Sequence, residues 1–128
     1  MPKTGWLTVA TVVLAGACGG GDSSDSSGAG ADPTRGKTVY SAKCALCHGA
    51  DLRGTPRGPS QLSKVYEPSH HPDAAYRSAI ANGVQTHHWK FGDMPAVPGL
   101  SDTDVESVIA YIRSEQAKQG FEPYPPMK

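Results

Sequence analysis

Five consecutive residues, Cys44-Ala45-Leu46-Cys47-His48, combine two thiols and an imidazole at a fixed spacing. Two residues between the thiols let both sulfur atoms add to neighbouring vinyl groups of a porphyrin, and the next side chain is then delivered beneath the iron. The run therefore predicts one covalently attached haem, with Cys44 and Cys47 as the attachment points and His48 as an axial iron ligand.

Paired cysteines in a short exported chain also form disulfides or half of a zinc site. The remaining cysteine, Cys18, lies in a different kind of segment, and a zinc site would have to recruit His87 or His88. The haem interpretation is favoured because it gives a role to both cysteines and to the histidine that follows them.

A second iron ligand is predicted in the irregular stretch 84–99, where Met94 precedes Pro95 outside any helical period. Most methionines fill hydrophobic cores. A thioether is also a soft, neutral ligand that favours ferrous iron, and it completes His/Met ligation when it reaches the face opposite the histidine. We interpret Met94 as this sixth ligand.

Two alternatives to Met94 stay open. The adjacent pair His87 and His88 lies six or seven residues earlier and could reach the same haem face, which would give bis-histidine ligation. An open or weakly held sixth position would instead indicate a small-ligand sensor or a peroxidase-like enzyme.

Haem propionates need hydrogen-bond donors, and we interpret the Trp89 indole and the Arg57 guanidinium as candidates. A packing tryptophan and a surface arginine explain these residues equally well. His70 and His71 are interpreted as helix-entry residues.

The chain has 128 residues and a formal net charge of zero. A folded part of about 90 residues is too small to build a generous apolar core, so a porphyrin would complete it. Charges of both signs are scattered, which does not favour nucleic acid or an anionic membrane surface as a partner.

Residues 1–17 resemble an export signal, with an apolar run from Trp6 to Ala17 that is too short to cross a bilayer. Small residues before Cys18 predict a lipoprotein-type signal with Cys18 as the lipid attachment site; a non-lipidated signal is the alternative. Residues 18–31 consist almost wholly of Gly, Ser, Asp and Ala and predict a flexible tether.

The first helix is predicted from Asp32 to about Cys47, because Asp is a favoured N-cap and the proline that follows it is a favoured first helical residue. Gly36, Tyr40 and Cys44 share one face of it. A glycine inside a helix is unfavourable, so Gly36 predicts that another backbone passes close by.

Two further helices follow an irregular loop over residues 49–60 and a helical turn over residues 61–66. One begins at His71-Pro72 and ends at Gly83. The other begins with Ser101 and Asp104 as a capping box, Leu100 and Val105 as a hydrophobic staple, and an apolar stripe of Val105, Val108, Ile109 and Ile112; it ends at Gly120.

From Asp32 to about Phe121 the chain resembles a small class I cytochrome c, and residues 122–128 lie outside the resemblance. It implies an all-α fold of three main helices and loops around one covalent haem, with the first and last helices crossing. In that crossing Gly36 and Tyr40 would meet Val108 and Tyr111. It also implies that the carbonyl of Pro59, in Gly58-Pro59-Ser60-Gln61-Leu62, accepts the N–H of His48.

Members of the resembled family are outer-sphere electron carriers, not enzymes, and transform no small-molecule substrate. The resemblance therefore implies haem c as cofactor, redox proteins (a dehydrogenase, reductase or oxidase) as partners, and an extracytoplasmic location. The N-terminal lipid would hold the domain at the membrane.

Overall fold

The computed structural model of the chain describes Met1 and residues 30–123. The predicted export signal, Cys18 and nearly all of the tether lie outside the described residues, as does the tail after Pro123. Within 30–123 the structure has no β-strand and contains four α-helices and a single 3₁₀ turn at Lys64–Tyr66: α1 (Pro33–Lys43), α2 (Ala45–His48), α3 (Asp73–Asn82) and α4 (Asp102–Gln119).

The beginning of α1 is determined locally. The Asp32 side chain accepts a hydrogen bond from the Thr34 amide at 2.8 Å, and Pro33 is the first helical residue. The expectation of one helix as far as Cys47 was wrong. The helix is interrupted at Cys44, whose φ of −117° is far from the usual helical value although the residue stays in the right-handed helical region, and α2 is a separate single turn. Groups of the following loop bind the main-chain carbonyls at the end of α2.

α1 packs across α4 with almost no space between the two backbones. A Cβ on Gly36 would lie 1.8 Å from the carbonyl oxygen of Ser107, so the predicted close approach is confirmed. One turn on, the Tyr40 and Tyr111 rings meet edge to face at 5.5 Å. This contact joins the two ends of the described chain.

The capping box of α4 is confirmed: the Ser101 side chain accepts from the Asp104 amide, and the Asp104 carboxylate accepts from the Ser101 amide. α3 begins directly after Pro72 and ends before Gly83, as predicted. The core lies between α1, α3, α4 and the loop after α2, and consists of Tyr40, Leu52, Leu62, Tyr76, Ile80, Val108, Ile109, Tyr111 and Ile112.

After α4 the chain returns to the loop side. Glu122 pairs its main chain with residues 62–64, donating to the Leu62 carbonyl and accepting from the Lys64 amide, each at 2.7 Å. No helix in the described part of the chain is both long and apolar enough to span a bilayer.

Candidate haem site

A cavity of about 620 Å³ lies between α1, α3, α4 and the two irregular loops, within the usual range for cofactor sites. Cys44, His48 and Met94 all contribute to its wall. The rest of the wall is largely apolar or aromatic and includes Tyr76, Ile80, Val108 and Ile112.

His48 is oriented by the loop that follows α2. Its Nδ1 lies 3.0 Å from the Pro59 carbonyl oxygen, a geometry in which Nδ1–H donates and Nε2 keeps its lone pair. Burial lowers the pKa of His48 below its usual value, while the hydrogen bond to Pro59 acts in the opposite direction. A neutral imidazole with a fixed tautomer is the form that binds a metal.

The loop over residues 49–60 wraps the backbone of α2. The Gly54 amide donates to the His48 carbonyl at 2.8 Å, and the Thr55 hydroxyl donates to the Cys47 carbonyl at 2.7 Å. Leu52 is buried behind them in a left-handed conformation, with φ 65°. These contacts hold the helical turn that carries His48.

Cys44 and Cys47 are half-buried and are not joined to each other. Burial, and secondarily the neighbouring Cys47, raises the pKa of Cys44 to about 11. A neutral thioether in place of this thiol suits a poorly solvated position. The Cys44 thiol, an imidazole of fixed tautomer and a thioether belong to the wall of one apolar cavity. The Cys47 thiol lies three residues after Cys44 and is not part of that wall. This donor set fits a covalent haem.

The main chain of Met94 is positioned by the residues that directly follow α3. Its amide and carbonyl exchange two hydrogen bonds of 2.9 Å with Val84. A Cβ on Gly83 would lie 2.5 Å from the Met94 carbonyl oxygen. The glycine that ends α3 therefore also makes room for the main chain of Met94.

Trp89 lies in the cavity wall, stacked on Tyr66 with ring centroids 5.6 Å apart. His87 and His88 also line the cavity, and so do His70 and His71, which precede α3. Arg57 does not line it; its amide donates to the Thr55 hydroxyl. The structure thus brings the four histidines to the cavity and leaves Arg57 outside.

Sequence reasoning missed a buried polar network behind the cavity. The Gln61 side-chain amide lies 2.8 Å from His48 Nδ1, and because Nδ1–H is a donor, the amide oxygen is the atom that suits this contact. The main-chain carbonyl of Gln61 accepts a hydrogen bond from the Gln116 side chain at 2.7 Å. Gln116 in turn accepts from Arg113 at 2.8 Å. One signal was available: Gln116 falls four residues after Ile112 on the apolar stripe of α4, where a polar residue needs a buried partner.

Arg113 joins three further groups to this network. Its guanidinium donates to the carbonyls of Tyr66 (2.7 Å) and His71 (2.6 Å) and to the Asp73 carboxylate (2.8 Å). The segment before α3 is therefore attached to α4 through one side chain, which is largely buried.

The sequence model of the family described as cytochrome c matches residues 33–116 of the chain. The chain belongs to the cytochrome c family. It is therefore a small c-type cytochrome that carries covalent haem c, and it is an electron carrier rather than an enzyme.

Two relatives agree with this membership. Cytochrome c6 of Synechocystis sp. is 31% identical over 93 residues, which span 71% of each chain. Cytochrome c-555 of Chlorobaculum thiosulfatiphilum is 30% identical over 84 residues, which span 63% of this cytochrome and 93% of the relative.

Among solved structures, the c-type cytochrome XoxG from Methylobacterium extorquens AM1 superposes with a TM-score of 0.54 at 20% identity. The match covers 75% of this cytochrome and 57% of XoxG. At this identity the likeness concerns the fold, and it agrees with the predicted all-α cytochrome c fold.

Proposed function

We propose that this cytochrome is a mono-haem one-electron carrier of an extracytoplasmic electron-transfer chain, with its iron ligated by His48 and Met94. The observation that supports it is that both side chains, together with Cys44, belong to the wall of one cavity. When bound, the haem supplies a one-electron Fe(III)/Fe(II) couple.

The residues of the chain tune that couple in two ways. The thioether of Met94 is a soft, neutral donor that favours the ferrous state, and the apolar wall disfavours the additional charge of the ferric state. Both effects raise the potential. The Pro59 carbonyl opposes them in part, because a hydrogen bond from Nδ1–H makes His48 a more basic ligand.

The decisive experiment concerns the sixth ligand. We expect the ferric protein to show the weak far-red absorption that arises from charge transfer between sulfur and iron. Met94→Ala should abolish this band, lower the midpoint potential and let carbon monoxide bind the ferrous protein. Absorption spectra, a redox titration and a carbon monoxide titration measure these three changes.

His87→Ala and His88→Ala are the matched controls, since both histidines line the same cavity. Each should leave the band, the potential and the carbon monoxide affinity nearly unchanged. A variant of either histidine that opens the iron would favour bis-histidine ligation. Rapid binding of carbon monoxide by the parent protein would favour a small-ligand sensor.

We also propose that Cys18 is lipidated and holds the domain at a membrane, where redox proteins exchange electrons with it. The small residues before Cys18 support this. Cys18→Ala should move the holoprotein from the membrane fraction to the soluble fraction. Equal fractionation of variant and parent would contradict the anchor.

A further inference from the structure

Three imidazoles that electron transfer does not require lie together in the cavity wall. One ring nitrogen from each of His70, His71 and His88 lies within 4.8 Å of the other two. The residues come from two separate segments, one before α3 and one in the loop that carries Met94. Packing of these segments has thus assembled a group of nitrogen donors that neither segment contains alone.

The distance between two of these donors is close to that of ligands sharing one ion. His70 Nε2 and His88 Nε2 are 3.3 Å apart. Two nitrogens bound at about 2.0–2.1 Å to a tetrahedral ion are separated by about 3.3–3.4 Å. Little movement of either ring would therefore be needed to bind a cation between them.

The third imidazole has the hydrogen bond that is typical of metal-ligating histidines. His71 Nδ1 lies 2.7 Å from the Val65 carbonyl oxygen, so Nδ1–H donates and the lone pair stays on Nε2. An acceptor that fixes the tautomer and the ring orientation in this way, either a carboxylate, a backbone carbonyl or a water molecule, accompanies most histidine ligands. The ring is also packed against Tyr66, with centroids 5.3 Å apart.

We propose that His70, His71 and His88 bind a divalent transition-metal cation, Zn²⁺ or Cu²⁺, through three imidazole nitrogens and a solvent molecule. Imidazole prefers these ions to Mg²⁺ and Ca²⁺, which prefer oxygen ligands. His70 is exposed and the other two are half-buried, so solvent reaches the fourth position. Three histidines with an open fourth position are a common zinc-binding arrangement.

The positive charge of Arg113, which contacts the His71 main chain, is compensated. Arg113 donates to the main-chain carbonyl of His71, but its guanidinium also pairs with the Asp73 carboxylate at 2.8 Å. Repulsion between Arg113 and a bound cation is therefore reduced.

The test uses the ferric holoprotein, titrated with Cu²⁺ and followed by electron paramagnetic resonance and calorimetry. We expect one Cu²⁺ per protein, with a spectrum that shows three coupled nitrogens. Zn²⁺ should compete with copper for the site only when it is in large excess, because copper binds nitrogen ligands more tightly, and an equal excess of Mg²⁺ should have no effect. His70→Ala and His88→Ala, which lie on different segments, should each remove one coupled nitrogen and weaken binding by roughly 100-fold or more, beyond the usual effect of losing an outer hydrogen bond.

The matched control is His87→Ala, which removes an adjacent loop histidine from outside the group of three and should leave the copper affinity unchanged. Equal copper affinities in the parent and in both test variants would overturn the site. The site also requires that His88 does not ligate the haem iron, so an altered haem spectrum in His88→Ala would overturn it too. Far-ultraviolet circular dichroism of each variant reports whether it has folded.

Discussion

The two sides of the cavity are built differently. On the histidine side, residues 44–62, main-chain groups interlock so closely that a Cβ on Gly54 would lie 2.7 Å from the Ser60 nitrogen. On the methionine side, residues 83–99, the base is fixed by the pairing of Val84 with Met94, but a Cβ on Gly92 would meet nothing within 4 Å. We infer that His48 is placed by packing that tolerates little change, whereas position 92 of the methionine loop has room for a larger side chain.

The largest expected difference comes from the same substitution on the two sides. Gly54 and Gly92 both have positive φ, 82° and 88°, so Gly→Ala adds similar backbone strain of about 1 kcal/mol at each. At Gly54 the methyl group also clashes with backbone, which adds about 2 kcal/mol. Chemical denaturation of the holoproteins should therefore show a loss of about 3 kcal/mol for Gly54→Ala and about 1 kcal/mol for Gly92→Ala.

Equal losses for the two alanine variants would mean that the histidine side relaxes as easily as the methionine loop. The contrast between the two sides would then be wrong.

We expect the segment before α3 to tolerate little change, as on the histidine side, because Arg113 attaches this segment to α4. Arg113→Met keeps the aliphatic packing but leaves two backbone carbonyls and the Asp73 carboxylate without this donor. We expect the free energy of unfolding to fall by about 2–3 kcal/mol, measured by chemical denaturation.

Arg77→Met is its control. Arg77 pairs with Glu106 on the surface, its side chain is 47% exposed, and exposed pairs contribute about 0–1 kcal/mol. If the two methionine variants lose the same stability, the segment before α3 does not depend on Arg113.

The smallest effect is expected at the tip of the methionine loop. Phe91 is 42% exposed, and its ring centroid lies 6.5 Å from that of Trp89, so only part of its apolar surface is buried. Phe91→Ser should lower the unfolding free energy by about 1 kcal/mol. A loss above about 2 kcal/mol, the range of buried aromatic residues, would show that the tip is packed as tightly as its base.

Features with local causes were predictable from the sequence. The N-caps at Asp32 and Ser101 depend on residues within three positions, and the structure has both. The close approach of another backbone to Gly36 was predictable, because a glycine inside a helix is unfavourable unless a contact requires it. The residues that Gly36 meets were predicted only through the family resemblance, which implied Val108 and Tyr111. The structure places the Ser107 carbonyl, next to Val108, and the Tyr111 side chain against Gly36.

Features with non-local causes were missed. The break between α1 and α2 at Cys44 was not predicted, because the helical pattern continues through it. The hydrogen bonds from Thr55 and Gly54 to the last carbonyls of α2 were not predicted either, since their donors come from the next loop. The contact of Gln61 with His48 and the approach of His70 to His88 likewise require two segments to meet. Residue types and spacing predicted the candidate haem donors, and the family resemblance predicted the contact between His48 and the Pro59 carbonyl, which the structure contains. The contact of Gln61 with His48 had no such signal.

The contact between α1 and α4 has a consequence for the order of events in maturation. The Asp32 amide donates to the Ser107 hydroxyl across a separation of 75 residues, so most of the described chain lies inside one long loop. Contacts of such large sequence separation form slowly. α4 is also the last described helix to be synthesised, so the Cys44 and Cys47 thiols precede it by more than fifty residues. We therefore expect haem to be attached before α4 docks, while the two thiols are still accessible. Once α4 has docked, the thiols are half-buried.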